Sequence, residues 1–159
     1  MKFNKSYTVE EAKKALEHFC SYQERCHKEV TQKLYDLNMI PEAKEMIILH
    51  LLQHNFLNEE RFARSYARGK FSIKKYGKIR IVNELKFRGI STYNINSALK
   101  EIDPNDYLET LRSLCKKRFL NVTESNSFKK RKKIIDYLRR KGFETDLIYQ
   151  TIKELKLFN

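Results

Sequence analysis

The hydrophobic positions of the chain recur with the spacing of an amphipathic helix, and the same pattern occurs three times. Leu34, Leu85 and Leu138 lie 51 and 53 residues apart, and each follows an aliphatic residue four positions earlier. Apolar residues at i and i+4 share one face of a helix. The repeated positions are Val30, Leu34, Asn38, Met39, Ile48 and Leu51, then Ile81, Leu85, Gly89, Ile90, Leu99 and Ile102, then Ile134, Leu138, Gly142, Phe143, Ile152 and Leu155.

A glycine or asparagine follows each of these leucines by four residues, at Asn38, Gly89 and Gly142. These residue types adopt the left-handed conformation that ends many helices, and an apolar residue directly afterwards can fold back onto the helix. The apolar positions further on predict a second helix after the turn. Each segment is therefore predicted to be a helix, a short turn and a helix.

Helix-start signals predict a further helix in front of each pair. Thr8 and Glu11 have the spacing of a capping box. Asn58 is a suitable N-cap, and Asp103 followed by Pro104 is a strong start signal. Pro41 suits the start of the second helix of the first pair. The stretch 120–127 is the best candidate for a loop.

The fold class predicted from these signals is all-α, with three tandem three-helix repeats at about 8–56, 58–102 and 103–158. Stacked repeats contact mainly their neighbours, so we expect an elongated, curved array. Composition agrees, since only four glycines and two prolines are present and hydrophobic residues make up 41%. This scarcity of turn-forming residues disfavours an all-β fold, which needs many tight turns.

The three cysteines, Cys20, Cys26 and Cys115, have no disulfide-framework spacing, which predicts reduced thiols and a cytoplasmic protein. The first residues contain no apolar run, so no signal peptide is expected. The longest aliphatic stretch, 46–49, is far too short to span a membrane.

Positive charge is concentrated in two blocks. The formal net charge is +13, from 33 basic and 20 acidic residues. Residues 64–88 contain nine basic residues and one acidic residue, and residues 112–141 contain twelve and two. Focused charge of this kind favours a polyanionic partner, most simply nucleic acid. The alternative is a solvated surface that only keeps the protein in solution.

The first block is the stronger candidate for a binding site. Its cations neutralise phosphates, and the aromatic residues among them (Tyr66, Phe71 and Tyr76) can stack on bases. Gly77 allows close approach to a helix start, where free N–H groups attract phosphate. Alternatively, Phe62 and Tyr66 pack inward and the cations face water. The candidate residues are Arg64, Arg68, Lys70, Lys74, Lys75, Lys78, Arg80, Lys86 and Arg88.

We expect six of these residues, Arg64, Arg68, Lys74, Lys75, Lys78 and Arg80, to form one anchoring face. The second block adds five consecutive cations at a helix start, where they oppose the helix dipole, and three more at the helix end. This arrangement suggests an anionic partner, although such runs are also common in solvated tails. Its residues are Lys129, Lys130, Arg131, Lys132, Lys133, Arg139, Arg140 and Lys141.

Metal-binding and catalytic patterns are weak. His50 and His54 are four residues apart, but the sequence lacks the glutamate general base of the zinc-protease pattern and an apparent third ligand. The cluster of His18, Cys20, Cys26 and His27 has no standard zinc spacing. We therefore expect no metal, no cofactor and no enzymatic activity.

Three segments together resemble the RecX family. Residues 57–66 resemble its signature of an acidic pair, Arg-Phe and a small-basic-small-Tyr run. Residues 77–90 resemble its Gly, basic, Ile, Glu-Leu, basic, Gly-Ile pattern, and 133–143 its closing motif. The resemblance covers about 10–158. In one departure, Arg25-Cys26 stands where the family usually has Arg-Ser, which leaves the role of Arg25 open.

The resemblance implies tandem three-helix repeats and a protein that lies in the groove of the RecA filament on single-stranded DNA. Such a protein would act as a monomer, suppress ATP hydrolysis and strand exchange, and so regulate DNA repair, recombination and the SOS response. Arg25 and the two basic blocks would contact DNA or acidic walls of the filament. Duplex DNA would bind weakly.

Two other functions remain compatible with helix pairs and basic charge. A helix-turn-helix transcription regulator would bind one duplex sequence far above random DNA, and it usually needs dimer symmetry. A structural RNA-binding protein would need the charge without the regular repeat.

Overall fold

The structure, a computed structural model, describes residues 6–158, and all of its regular elements there are helices. The all-α prediction is therefore confirmed. The helices are α1 (Val9–Tyr22), α2 (His27–Asp36), α3 (Pro41–Gln53), α4 (Glu59–Ser72), α5 (Lys78–Phe87), α6 (Thr92–Leu99), α7 (Pro104–Asn121), α8 (Ser127–Lys141) and α9 (Thr145–Glu154).

The predicted helix starts are present. The Thr8 side chain accepts a hydrogen bond from the third residue of α1 at 3.1 Å, and the reciprocal bond completes the capping box. The Asn58 side chain likewise accepts a hydrogen bond from the third residue of α4, and Asp103 caps α7. Pro41 and Pro104 occupy the starts of α3 and α7, where a missing N–H costs nothing. These local signals fix where the helices begin.

The turn after each repeated leucine has one geometry. Asn38, Gly89 and Gly142 have φ angles of 58°, 75° and 102°, all in the left-handed region. The next residue then donates its backbone N–H to the carbonyl of the repeated leucine, which is a Schellman-type helix end. These bonds run from Met39 to Leu34, from Ile90 to Leu85 and from Phe143 to Leu138, each at 3.1 Å.

The helices pack in threes, as α1–α3, α4–α6 and α7–α9. Buried residues form two clusters instead of one central core. One cluster belongs to the first triplet, and the other runs through the second and third. Cys26, from the first triplet, is buried in the second cluster. We propose that the triplets are the three repeats, with the limits 8–56, 58–102 and 103–158.

The linker between α7 and α8 is shorter than the predicted loop. Residues 120 and 121 continue α7, so the linker comprises 122–126 instead of 120–127. Of the helices within residues 6–158, none has the length and apolar character needed to cross a bilayer.

The second and third triplets meet end to end. The backbone N–H groups of Gly77 and Ile79, at the start of α5, donate to the carbonyls of Lys141 and Gly142 at 2.8 and 3.0 Å. The N–H of Lys78 donates to the Tyr107 hydroxyl at 3.1 Å. The C-terminus of one helix thus supplies acceptors to the N-terminus of another, which aligns the two helix dipoles favourably.

The first and second triplets are joined by side chains. Arg61 of α4 donates through Nε to the Glu24 carboxylate at 2.6 Å, and its Nη2 donates to the carbonyls of Asn55 and Phe56. Lys28 donates to the Phe87 carbonyl at 3.2 Å. The Lys28 contact therefore places part of this joint at the end of α5.

Candidate functional site

A cationic groove lies between α4, α5 and the C-terminal end of α8, and we call it the basic groove. Five cations line it, three from the second triplet and two from the third. Glu84 is the acidic member among the described residues that line it. The cations are Lys70, Arg80, Arg88, Arg139 and Arg140.

Two tyrosine rings support the cations of the groove. The Arg88 guanidinium lies 4.8 Å from the centroid of the Tyr66 ring, and the Arg80 guanidinium lies 3.9 Å from that of Tyr76. Lys70 lies within 6 Å of both rings. A cation over an aromatic face is stabilised by the ring quadrupole. The tyrosines are half-buried and pack against the second core, so they serve as a floor for the cations.

Hydrogen bonds hold this floor in place. The Tyr66 hydroxyl donates to the Glu84 carboxylate at 2.5 Å, and Arg80 donates to the same carboxylate at 3.4 Å. Burial and the bond to Glu84 raise the pKa of Tyr66, which keeps it a proton donor. Arg80 also donates to the Arg140 carbonyl at 3.2 Å. The hydrogen bond from Arg80 to the Arg140 carbonyl therefore links the second and third triplets at the basic groove.

Lys141 is part of the same joint. Its ammonium donates to the Lys74 carbonyl at 2.6 Å and lies 5.4 Å from the Tyr76 ring. Burial lowers the pKa of Lys141, and repulsion from Arg80 and Lys74 lowers it further. The positive charges of Arg80 and Lys74 are therefore close enough to repel that of Lys141.

Arg64 and Arg68 lie away from the basic groove, which divides the predicted anchoring face. They are displaced from Tyr66 and Lys70 by two residues along α4, which is about 200° around a helix. Arg68 pairs with Glu101 at 3.3 Å, and Arg64 pairs with Glu60 at 2.8 Å as well as with Glu101. Their charge is locally balanced by these acids.

The remaining cations of the first block occupy separate places. Lys74 and Lys75 are exposed in the turn before α5, and Lys75 has a φ of 59°. The Lys78 ammonium lies 4.8 Å from the Tyr107 ring, on the α7 side. Lys86 lines a cleft between α2 and α5.

Gly77 does allow close backbone approach, but the expectation of free N–H groups for phosphate is wrong. A Cβ on Gly77 would lie 2.3 Å from the carbonyl carbon of Gly142. The N–H groups at the start of α5 are already bonded to Lys141, Tyr107 and Gly142. The glycine therefore admits the neighbouring repeat.

The second basic block forms a ridge along α8, which we call the α8 ridge. Ile134 and Leu138 are buried, and the exposed cations occupy the opposite side of the helix. Lys130 instead lies 3.9 Å from the Phe119 ring, and Arg131 lies 6.0 Å from that of Tyr149. The members of the ridge are Lys129, Lys132, Lys133, Arg139 and Arg140.

Because Arg139 and Arg140 also line the basic groove, ridge and groove form one continuous cationic surface. Lys133 pairs with Glu124 at 3.2 Å, so its charge is partly balanced. The groove holds a cluster of charge and the ridge extends it in one direction, which suits a linear polyanion.

Arg25 has local partners. Its Nε donates to the Phe19 carbonyl at 3.0 Å, its guanidinium stacks 3.7 Å from the Phe19 ring, and it pairs with Glu29. Its polar side chain is thus engaged within the first triplet.

Sequence reasoning missed the cleft between α2 and α5, which we call the α2–α5 cleft. It contains cations from three helices and their ends, together with exposed aromatic rings. The available signal was Phe87, an apolar residue between Lys86 and Arg88. Its lysines, arginine, tyrosine and phenylalanine are Lys28, Tyr35, Lys44, Lys86, Phe87 and Arg88.

His50 and His54 form local hydrogen bonds within the first triplet. The Nε2 atom of His50 lies 3.1 Å from the Glu17 carboxylate, and His54 is hydrogen-bonded to the His50 carbonyl. The three cysteines are free and buried.

Family models identify the two triplets that build the basic groove. Residues 58–99 match the second three-helix domain of RecX, and residues 105–152 match the third. The chain belongs to the RecX family. The matched ranges include all five cations of the groove, so the candidate site lies within the RecX-like part of the chain.

Curated relatives agree with this assignment. A protein named regulatory protein RecX from Clostridioides difficile (strain 630) is 30% identical over 142 residues, covering 87% of this chain and 65% of the relative. Another of that name, from Clostridium acetobutylicum, is 27% identical over 135 residues, covering 82% and 62%. The matched part of the chain thus spans somewhat less than two thirds of these RecX relatives.

Solved RecX structures share the fold. The crystal structure of RecX from Lactobacillus salivarius superposes with a TM-score of 0.81 at 28% identity, covering 94% of this chain and 97% of that one. A second crystal structure, of a regulatory protein RecX, gives a TM-score of 0.83 at 25% identity, covering 92% and 73%. The tandem three-helix architecture is therefore that of RecX, and the curated relatives are named regulatory proteins.

Proposed function

We propose that this protein binds the RecA recombinase filament on single-stranded DNA and inhibits its ATP hydrolysis and strand exchange. Membership of the RecX family supports the regulatory role. In this proposal the protein has no catalytic activity of its own and acts by occupying the filament. DNA repair and recombination would be regulated as a result.

The observation that carries the proposal is the basic groove. Five cations from two triplets face one space, and Glu84 is the acid among the described residues there. Cations that neutralise phosphates release counterions, which gives affinity without reading sequence. A groove of this kind suits a nucleoprotein filament, whose DNA repeats regularly but varies in sequence.

The α8 ridge supports a polymeric partner. The helix Ser127–Lys141 has several turns. At a rise of about 1.5 Å per residue it extends roughly 20 Å. Ridge and groove together can therefore contact several phosphates in a row, whereas a small anion would need only the groove.

A helix-turn-helix transcription regulator is less well supported, because the first three residues of the third helix in each triplet include no basic residue. A recognition helix contacts base edges with its N-terminal residues. The first turn of α3 carries Glu42 and that of α9 carries Asp146, while α6 has no charged residue in Thr92–Leu99. The acidic starts of α3 and α9 would repel the phosphates of DNA.

The test is ATP hydrolysis by the cognate recombinase on single-stranded DNA, titrated with this protein. Wild type should lower the rate in a dose-dependent manner. The groove variant K70E/R139E/R140E should need at least about ten times more protein, since three phosphate contacts become repulsive. Within residues 6–158 these three side chains form no ion pair with an acid, so folding should persist.

The matched control is K14E/K100E/K153E, which changes the net charge equally at exposed lysines outside both basic surfaces. It should inhibit almost as wild type does. Equal activity of the groove variant and wild type would refute the assigned surface, and a recombinase indifferent to wild type would refute the function.

A further inference from the structure

Phe87 is an aromatic residue on a strongly cationic surface. It is the last residue of α5, its exposed fraction is 75%, and it stands between Lys86 and Arg88. Ile81 and Leu85 of the same helix are fully buried, so the helix has its core contacts without Phe87. An exposed phenyl ring gives up the stabilisation of burial, which makes its position informative.

The ring forms the divide between two cationic clefts. On one side is the basic groove with Arg80, Arg139 and Arg140, and on the other is the α2–α5 cleft with Lys28 and Lys86. Phe87 lines both clefts. Arg88 lines both clefts as well, so a chain of phosphates that contacts both clefts would pass close to the ring.

Contacts hold this end of α5 in place. The Lys28 ammonium lies 4.2 Å from the centroid of the Phe87 ring and donates to the Phe87 carbonyl. Arg88 donates to the Glu84 carbonyl at 3.0 Å, which closes the end of α5. Most of the ring nevertheless stays open to solvent. A ring that is already held in place loses little conformational entropy when a planar group stacks on it.

We propose that Phe87 stacks on an unpaired base of the DNA strand and thereby makes this surface prefer single strands over duplex. The inference rests on the proposed function and adds a residue that selects the nucleic-acid form. Aromatic rings bind every base because each base has a π-face. Paired bases in a duplex are stacked on their own neighbours and present only their edges.

The charges around the ring favour DNA over a protein contact. An apolar anchor in a protein interface sits where charged residues are depleted. Phe87 instead has Lys28, Lys86 and Arg88 around it, and these attract phosphates. The exposed ring of Tyr35, with Lys44 5.1 Å from its centroid, lies in the same α2–α5 cleft and repeats the combination of ring and cation.

The experiment measures binding of the full chain to three labelled probes by fluorescence anisotropy. The probes are an oligodeoxythymidine, an abasic strand of equal length and a duplex. The variants are F87A, F87L and F87W, and the control is Y93A. Tyr93 is an aromatic residue on α6 with an exposed fraction of 72% that lines neither cleft.

F87A should bind oligodeoxythymidine at least about five-fold more weakly than wild type, while the abasic strand should bind both equally. F87L should follow F87A, because it keeps apolar bulk without a π-face, and F87W should match wild type. The dependence of affinity on salt should not change, since no phosphate contact is lost. Y93A should behave as wild type.

Two results would overturn the inference. One is unchanged binding of oligodeoxythymidine by F87A, and the other is an equal loss on the abasic strand. Unchanged strand binding combined with a loss of recombinase inhibition by F87A would instead assign the ring to a contact with the recombinase protein. The proposed function would survive each of these results, because it fails only if wild type leaves the recombinase unaffected.

Discussion

Gly77 and Gly142 touch across the joint between the second and third repeats. A Cβ on Gly77 would lie 2.3 Å from both the carbonyl carbon and the carbonyl oxygen of Gly142. Backbone atoms cannot move aside as a flexible side chain can. The two repeats are therefore set at a spacing that only glycine at position 77 permits.

We expect Gly77→Ala to destabilise the protein by about 1–3 kcal/mol, because the added methyl group forces the two backbones apart. Gly69→Ala is the matched control, since a Cβ there meets nothing within 4 Å and the residue is inside α4. That change should stabilise by about 0.5–1 kcal/mol through helix propensity. Urea unfolding of both variants measures the difference, and equal stabilities would contradict the contact.

The core of the second repeat depends on Leu85, which is fully buried. Leu85→Ala should lower the free energy of unfolding by about 2–5 kcal/mol, because its loss leaves a cavity. Leu120 of α7 is strongly exposed. Leu120→Ala should therefore change the free energy of unfolding by about 0.5 kcal/mol or less. Thermal or urea denaturation compares the two variants. A loss for Leu85→Ala as small as that for Leu120→Ala would show that Leu85 is not a core residue.

Arg64 and Arg68 should contribute less to filament binding than the groove cations do. Glu60 and Glu101 already pair with them, and they lie on the far side of α4 from Lys70. The R64A/R68A variant should therefore inhibit the recombinase ATPase with less than about a three-fold loss of potency. The two substitutions change only the long-range attraction to DNA, which salt screens. A loss equal to that of K70E/R139E/R140E would return them to the binding surface.

The buried thiols should resist reagents in the folded protein. Burial raises the pKa of Cys20 and Cys115 from 9.0 to about 11. Labelling with a thiol reagent at pH 8 should be slow until urea unfolds the chain, because the reactive thiolate is scarce and enclosed. Fast native labelling of Cys115 would contradict its burial.

The same shifts affect stability at high pH. A folded pKa above the unfolded value means that the stabilising contribution is complete below pH 9 and is lost as the pH rises towards 11. Wild type should therefore lose stability more steeply over that window than a C20A/C115A variant. Equal slopes in urea titrations at pH 8, 9 and 10 would contradict the shifts.

The sequence was sufficient for the elements because their signals are local. A left-handed turn at Gly89 needs only its own φ angle and the carbonyl of Leu85, five residues from the N–H that follows it. The caps at Thr8, Asn58 and Asp103 likewise bond within three residues. Interactions of such short range can be read from spacing alone.

The arrangement of the cations in space could not be predicted from residue spacing in this way. Arg80 meets the Arg140 carbonyl 60 residues away. Arg68 of α4 likewise pairs with Glu101, which lies beyond the end of α6. Which face of α4 turns to which neighbour depends on how the repeats stack, and side-chain periodicity within one helix does not specify that. The basic blocks were therefore found, whereas their division into a groove, a ridge and balanced pairs was not.

The backbone bonds between α8 and α5 make the basic groove sensitive to motion at its base. Gly77 and Ile79 donate to the carbonyls of Lys141 and Gly142, directly beside Arg139 and Arg140. When these hydrogen bonds open, the α5 and α8 sides of the basic groove separate and the amides exchange with solvent. A DNA strand bound to both sides should keep the hydrogen bonds closed, so bound DNA should slow deuterium uptake at two amides that it never touches.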